Sequence, residues 1–236
     1  MRILFFIFIV FQFSLAAQTK GISQSFEAAT HTARAQQYEQ AVKQYRTTIL
    51  RAKNELANDN FLARIHFNIG VCYYQLKNPA KAVEEFNEAI KLSRRSFQKA
   101  FYALGMAHVD LKNWREAKTA FRKSVKLKPN DGEAWFDLAL VFLEEKDFDA
   151  AEKAFQNAIK YKSTAAADAH NNIGVIFALR SDFPAAENEF NTALIQSNGK
   201  SVEAKNNLQF CRLYKQNFNQ NLLAKLEFSR QEKRGE

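Results

Sequence analysis

The chain has 236 residues, a net charge of +9 at neutral pH, and only 7 glycines and 3 prolines. The scarcity of helix-breaking residues, together with an aromatic content of 13%, favours a helical protein with a substantial core over a sheet protein or a disordered chain. The sequence contains no glycine-rich phosphate loop and no serine or cysteine nucleophile motif, so it does not favour an enzyme.

Residues 1–17 differ in character from the rest of the chain. A short positive start is followed by an apolar run at residues 3–15 and by small residues at Ala16 and Ala17. This is the layout of a secretory signal peptide, and the run is shorter than the ~20 apolar residues that a membrane-spanning helix needs. We therefore expect an exported protein, periplasmic or secreted after cleavage; retention of the segment as an anchor is the alternative.

One helical pattern then recurs along the chain. A small residue is followed four positions later by a large ring, in the pairs Ala41 and Tyr45, Ala82 and Phe86, Ala117 and Phe121, Ala151 and Phe155, and Ala186 and Phe190. The small residues are separated by 41, 35, 34 and 35 positions. An upstream helical stretch carries a second small residue, at Gly70, Gly105, Ala139 and Gly174. The repeated unit is therefore a pair of helices.

Glycine in the middle of a helix needs a physical reason, because it costs ~1 kcal/mol relative to alanine. We expect each such glycine, and the alanine of the second helix, to let the two helices of a pair approach closely. The ring is then expected to fill the space between one pair and the next. A single pair cannot cover its own apolar face, so the pairs should stack into a solenoid.

The two cysteines, Cys72 and Cys211, lie far apart, and each falls within an apolar helical pattern. A disulfide framework needs more cysteines in a shorter chain. Helices this far apart in a stacked array do not touch. We therefore expect two buried thiols.

This pattern resembles the tetratricopeptide repeat (TPR) family over about residues 22–200. In the best-matching segment, 98–131, the signature positions are occupied by Phe101, Leu104, Gly105, Ala117, Phe121 and Pro129. The resemblance implies an all-α fold, an α-solenoid forming a right-handed superhelix of about five helix hairpins. The repeats are expected at about 22–55, 63–96, 98–131, 132–165 and 167–200.

The two ends depart from the pattern, as terminal repeats often do. In the first repeat Ala29 stands for glycine and Tyr45 for phenylalanine, and extra residues follow near 55–61. Residues 201–236 are expected to form a degenerate sixth repeat with a capping helix at its start. A second, looser helix is expected from Asn219 to Arg230.

The resemblance also implies that the first helix of each pair lines a concave groove that binds a partner. The groove positions hold Phe67, Val71 and Tyr74, then Tyr102, Met106 and Val109, then Phe136, Leu140 and Leu143, then Asn171, Val175 and Ala178. An exposed apolar stripe of this kind usually marks an interaction surface, although the same residues could instead be core.

Polar residues near the stripe could assist binding. Asn68, Asn171 and Asn172 are candidates for hydrogen bonds to a bound backbone, and Arg64 and Lys99 for contacts with an acidic flank. Some members of the family hold a terminal carboxylate with lysine and asparagine. The corresponding positions are apolar or aromatic here, which argues against such a clamp.

Export and a groove together predict a non-enzymatic interaction module that binds a protein or peptide and scaffolds an envelope complex. Nucleic acid is not an expected partner of an exported protein. His66 and His170 fall in equivalent positions that stacking would hold apart, so no shared metal site is expected. No cofactor is expected either.

Two alternatives remain. A charge-mediated scaffold could hold an acidic protein or, less favoured, a membrane surface of anionic lipid, through Arg115, Lys118, Arg122 and Lys126. A homo-oligomer could swap its C-terminal helix, around Leu222, Leu223 and Leu226. Charge-mediated binding would weaken steeply with salt, whereas apolar binding would not.

Overall fold

The computed structural model describes residues 21–54, 58–217 and 226–229. The expected signal peptide at 1–17 and most of the expected last helix lie outside these residues. Within them every regular element is an α-helix and no strand occurs. The all-α fold expected from the repeat is confirmed.

The helices alternate with short turns along the whole described chain. Residues 21–34 are helical and form α1. The others are α2 (Tyr38–Asn54), α3 (Asp59–Gln75), α4 (Pro79–Leu92), α5 (Gln98–Asp110), α6 (Trp114–Leu127), α7 (Gly132–Glu144), α8 (Phe148–Lys160), α9 (Ala166–Leu179), α10 (Phe183–Gln196) and α11 (Val202–Asn217).

The turns inside the helix pairs repeat in structure as they do in sequence. Lys146 has a positive φ of 59°, which reverses the chain after α7. Asp147 then caps α8, because its Oδ1 accepts a hydrogen bond from the N–H of Ala150 at 3.1 Å. The same cap is made by Asn78 and by Asp182. Each of these side chains satisfies an N–H group that the first helical turn leaves unpaired.

The chain forms two compact units, unit 1 up to Asn113 and unit 2 from Trp114. In unit 1, α3 packs between α2 and α4, and α4 also packs on α5. The core of its first part contains Ile22, Tyr45, Ile65 and Ile69. Apolar residues three and four positions apart lie on one face of each helix, so each helix contributes one stripe to this core.

In unit 2, α7 packs on α6 and α8, and α9 packs on α8 and α10. The last helix, α11, packs against α10 and α9, which is the place expected for a capping helix. Residues 226–229 are not helical. The expectation of a helix reaching Arg230 is therefore wrong at these residues.

Two mid-helix glycines, Gly70 and Gly174, accept the large rings of their own pairs. A Cβ on Gly70 would lie 2.5 Å from Cε1 of Phe86, and one on Gly174 would lie 2.6 Å from Cε1 of Phe190. Both rings are fully buried. The expectation that glycine permits close approach holds, but each ring occupies the space left by the glycine in its own pair.

The first pair replaces this contact with polar bonds. Ala29 stands for the glycine and is fully buried. The Tyr45 hydroxyl is paired with Thr30 Oγ1 at 2.9 Å and accepts from Asn68 Nδ2 at 3.0 Å. A tyrosine is accepted at the ring position because its hydroxyl has two partners. Cys72 and Cys211 are free and buried, as expected.

Candidate functional site

The stripe residues of unit 1 are half-buried, neither core nor fully exposed. They are Phe67, Val71, Tyr74, Tyr102, Met106 and Val109. The Phe67 ring lies 4.9 Å from that of Phe97 and 5.8 Å from that of Phe86, between ring centroids. Phe67 thus rests on the core while part of its side chain remains accessible.

Two of the three polar candidates of unit 1, Arg64 and Asn68, already have neighbours. Arg64 and Lys99 are exposed, and the Arg64 guanidinium lies 5.1 Å from the centroid of the Phe26 ring. Asn68 donates to the Tyr45 hydroxyl. Asn68 therefore supports the first helix pair, and its expected role in holding a bound backbone stays a prediction.

In unit 2 the stripe is mostly covered. Leu140 and Leu143 are half-buried, but the expectation of an exposed position is wrong for Phe136, Asn171, Val175 and Ala178, whose exposures are 1% or less. Asn172, which was expected as a hydrogen-bond partner, is also buried. Phe136 packs edge-on against the Phe155 ring, with centroids 5.4 Å apart. Its burial follows from this contact within its own helix pair.

The asparagines are covered by residues 226–229, here called the C-terminal segment. Asn172 Oδ1 accepts from the backbone N–H of Ser229 at 2.6 Å, and Asn172 Nδ2 donates to the Ser229 carbonyl oxygen at 2.8 Å. One side-chain amide thus satisfies both backbone groups of one residue. This is the pairing that a neighbouring strand would provide.

Asn207 on α11 holds Glu227 in the same way. Its Oδ1 accepts from the N–H of Glu227 at 2.8 Å, and its Nδ2 donates to the carbonyl oxygen of Glu227 at 2.6 Å. Asn207 also donates to Asn171 Oδ1 at 2.9 Å. The Asn171 amide in turn reaches the Glu227 carbonyl at 3.1 Å and Ser229 Oγ at 3.0 Å. We call Asn171, Asn172 and Asn207 the asparagine site.

The spacing of these contacts indicates an extended backbone. The asparagines hold residues 227 and 229, whereas Leu226 and Phe228 pack on an apolar cluster that contains Val175, Leu208 and Cys211. Alternation with a period of two is the property of a strand. Asn172 and Asn207 are one repeat apart in the chain, so successive repeats hold alternate residues of the segment.

Phe228 has a second aromatic neighbour. Its ring is nearly parallel to that of Phe148, with an interplanar angle of 15° and 6.5 Å between centroids. Asn171, Asn172 and Asn207 are each 0% exposed and Ser229 is 4% exposed. Buried amides without partners would be costly, so the bonds to the segment are needed while these side chains are buried.

Asn171 and Asn172 are expected from the sequence as backbone-binding residues, whereas Asn207 and the C-terminal segment are not. A signal for Asn207 was present, because the pair of asparagines at 171–172 recurs at 206–207, before an apolar residue in each case. No local pattern marks residues 226–229. Their role depends on a contact across 57 positions of the chain, from Asn172 to Ser229.

The basic helix α6 is less available than its sequence indicates. Lys118 forms an ion pair with Glu145, and the Arg122 guanidinium lies 5.2 Å from the centroid of the Phe142 ring. Arg115 and Lys126 are exposed. Two of the four cations proposed for an acidic partner are therefore engaged within unit 2.

The histidines have local partners as well. His66 Nδ1 lies 2.7 Å from Glu85 Oε2, and His170 Nδ1 lies 2.6 Å from Glu189 Oε2. Each pair joins the two helices of one hairpin. Among the described residues no cluster of histidine, cysteine or acidic side chains could hold a metal ion. None of the helices described is both long and apolar enough to cross a membrane.

Comparison with known proteins places the repeat pattern in a family. Models described as tetratricopeptide repeat match residues 22–95, 102–160 and 142–201, which together exceed half of the chain. A TPR repeat-containing protein of Schizosaccharomyces pombe is 32% identical over 96 residues, 40% of this chain. The match spans 12% of that relative, so this chain corresponds to only a small part of it.

Solved structures share the fold. The crystal structure of MamA has a TM-score of 0.65 at 21% identity and covers 73% of this chain and 95% of its own. The crystal structure of YrrB, described as a TPR protein with an unusual peptide-binding site, has a TM-score of 0.62 at 22% identity and covers 75% of this chain and 91% of its own. At these identities the likeness shows the fold alone.

Proposed function

Because the chain belongs to the tetratricopeptide repeat family, we propose that it is a non-enzymatic protein-interaction module that binds an extended segment of a protein partner at the asparagine site. One observation carries the proposal. Asn172 and Asn207 each bond to both the N–H and the C=O of a single backbone residue. This geometry fits any extended chain except one with proline at the held positions, since proline lacks the N–H.

Backbone bonds of this kind provide affinity, and side-chain pockets provide selectivity. The pockets here are the apolar cluster beneath Leu226 and Phe228 and the face of the Phe148 ring. A partner would therefore place apolar residues at alternate positions. Leu140 and Leu143 of α7 are half-buried and would extend the apolar surface of unit 2 for a longer partner.

The half-buried stripe of unit 1 offers a second apolar surface. Tyr102 and Met106 suit adaptable contacts, since tyrosine combines an apolar ring with a hydroxyl and methionine is flexible. Arg64 and Lys99 are exposed and would meet acidic flanks of a partner. We therefore include the half-buried stripe of unit 1 in the proposal, as a second surface that binds a protein partner.

Export and scaffolding of an envelope complex also belong to the proposal. The signal-like layout of residues 1–17 supports export. YrrB is described as a peptide-binding TPR protein, and its likeness in fold supports peptide binding here only by analogy. An interaction module without chemistry of its own would act by bringing partners together.

Photo-crosslinking in intact cells tests the proposal. A photoreactive amino acid in place of Leu140, half-buried on α7, should attach to a protein partner, and peptide mapping should place the attached residue in an extended segment. The matched control is the same amino acid in place of Lys153, which is exposed on α8, and it should give no such product. Attachment only from position 153, or from neither position, would overturn the proposal.

A further inference from the structure

The C-terminal segment uses the hydrogen-bonding groups that the proposed function assigns to a partner. Both polar atoms of the Asn172 side chain are bonded to Ser229, and both of Asn207 are bonded to Glu227. The amide atoms that an incoming backbone would use are already bonded to the segment, which lies over them. The segment and a partner therefore cannot occupy the asparagine site together.

We propose that residues 226–229 are a built-in competitor for this site, and that the partner carries the same pattern: an apolar residue, any residue except proline, an aromatic residue and a small residue other than proline, in extended conformation. This inference rests on the proposed function and adds two properties to it. The partner segment is defined by the residues of the chain that it displaces. The affinity for the partner is lowered by that displacement.

Each position of the pattern follows from a contact. Leu226 and Phe228 pack on the apolar cluster of α9, α10 and α11, and Phe228 also faces the Phe148 ring. The side chain at 227 is exposed, so any residue fits there except proline, which lacks the N–H that donates to Asn207. Ser229 is buried and its Oγ accepts from Asn171, which favours a small residue.

Competition is effective because the segment is tethered. Residues 218–225 connect it to the end of α11, and a short tether gives an effective concentration on the order of millimolar. A free peptide must exceed this local concentration to win the site. Disabling the segment should therefore raise the affinity for a free peptide by roughly 10-fold or more.

The test keeps the full chain and disables the backbone donors of the segment, and its control removes the same Ser229 hydroxyl. The double variant Glu227→Pro, Ser229→Pro removes the two N–H groups that donate hydrogen bonds to Asn207 and Asn172. The matched control is Glu227→Ala, Ser229→Ala, which retains both N–H groups. The probe is a fluorescent peptide of residues 222–232, LLAKLEFSRQE, and its binding is followed by fluorescence anisotropy.

We expect the double-proline chain to bind the probe at least roughly 10-fold more tightly than the native chain, and the double-alanine chain to stay closer to native. Adding Asn172→Ala to the double-proline chain should return the affinity to the native level or below. A second way to release the segment, Phe228→Asp in the full chain, should also raise probe affinity. Circular dichroism melting of each variant establishes that it is folded.

Equal probe affinity in the native and double-proline chains would overturn the inference, as would no binding to a folded double-proline chain. If the native chain is a dimer by light scattering and the double-proline chain is a monomer, the segment acts between copies, and the intramolecular competitor is overturned. Failure of the probe together with a partner crosslinked from position 140 would reject the competitor alone. Failure of both would reject the proposed function as well.

Discussion

The ring of Phe86 occupies the place that a side chain on Gly70 would take, with Cε1 only 2.5 Å from the position of a Cβ. The pair of Phe190 and Gly174 repeats this relationship in unit 2, at 2.6 Å. Real Cβ atoms do not approach aromatic carbons this closely, and both rings are fully buried. The helix pair thus requires glycine for steric reasons. The cost of a clash with the ring exceeds the cost of placing glycine in a helix.

Gly70→Ala should therefore destabilise the protein although alanine is the better helix former. We expect a net loss of about 1–3 kcal/mol in the free energy of unfolding, because the buried ring must shift in a close-packed core. Urea denaturation followed by circular dichroism measures this loss. Gly21→Ala is the control, since nothing lies within 4 Å of its Cβ position and no loss is expected there.

A smaller side chain at position 86 should offset part of the stability that Gly70→Ala loses. Combining Gly70→Ala with Phe86→Leu removes the clash, so the double variant should lose less than the sum of the two single losses. A double-mutant cycle measures the coupling energy between positions 70 and 86. Residues in contact typically show coupling energies of about 0.5–3 kcal/mol, which is on the order of the expected clash. Strictly additive losses would show that the ring and the glycine do not share one space.

Alkaline pH should destabilise unit 1 through Cys72. Burial raises the pKa of the Cys72 thiol from 9.0 to about 11. Between these values the unfolded chain has lost the thiol proton and the folded chain retains it, so stability falls as pH rises. Across this window the loss in the free energy of unfolding is expected to be on the order of 2 kcal/mol, less where solvent reaches the thiol.

Urea denaturation at pH 8.5 to 11 checks this dependence. Cys72→Ala lowers stability at every pH by leaving a cavity, but it should flatten the decline above pH 9. Burial also raises the pKa of Tyr45, so a residual fall should persist at the alkaline end. A decline of the same steepness in native chain and Cys72→Ala would exclude Cys72 as its source.

The backbone amides of Glu227 and Ser229 should be protected from hydrogen exchange in the native chain. Each N–H donates to a buried asparagine, and exchange requires that this bond open. Asn172→Ala should remove the protection at Ser229 more than at Glu227. Site-resolved exchange by NMR provides the measurement.

Asn68→Ala is the matched control for that experiment, because Asn68 occupies in unit 1 the position that Asn172 occupies in unit 2. It loses its bond to the Tyr45 hydroxyl, at a cost of ~1 kcal/mol. Protection at Ser229 should nevertheless remain. Loss of protection in both variants would indicate global destabilisation and not release of the segment.

Probe binding to the double-proline chain should depend weakly on salt. The contacts that hold the segment are amide to backbone and apolar to aromatic, and neither is an ion pair. We expect the dissociation constant to change by less than about threefold between 0.05 and 0.5 M sodium chloride. A change of tenfold or more would favour the alternative in which cations of α6 carry the binding.

The helix pairs follow from the sequence because their determinants are local. Residues three and four apart share a helical face, so Ala82 and Phe86 could be assigned to one stripe and Gly70 to the facing helix. The turns follow for the same reason, since Asn78, Asp147 and Asp182 cap the helix that each precedes. Free, buried cysteines follow from the stripes that contain them.

What lies over a stripe is not a local property. Asn171 and Val175 have the spacing of accessible positions, and they are buried because residues 226–229 lie on them. The bonds that decide this run from Asn172 to Ser229 and from Asn207 to Glu227. The sequence by itself determined the helices, their paired faces and the family. Only the tertiary structure decided that an extended segment of the same chain occupies the asparagine site. The physical reason is that the backbone groups of any extended segment can form those bonds, so the periodicity of the sequence cannot predict them.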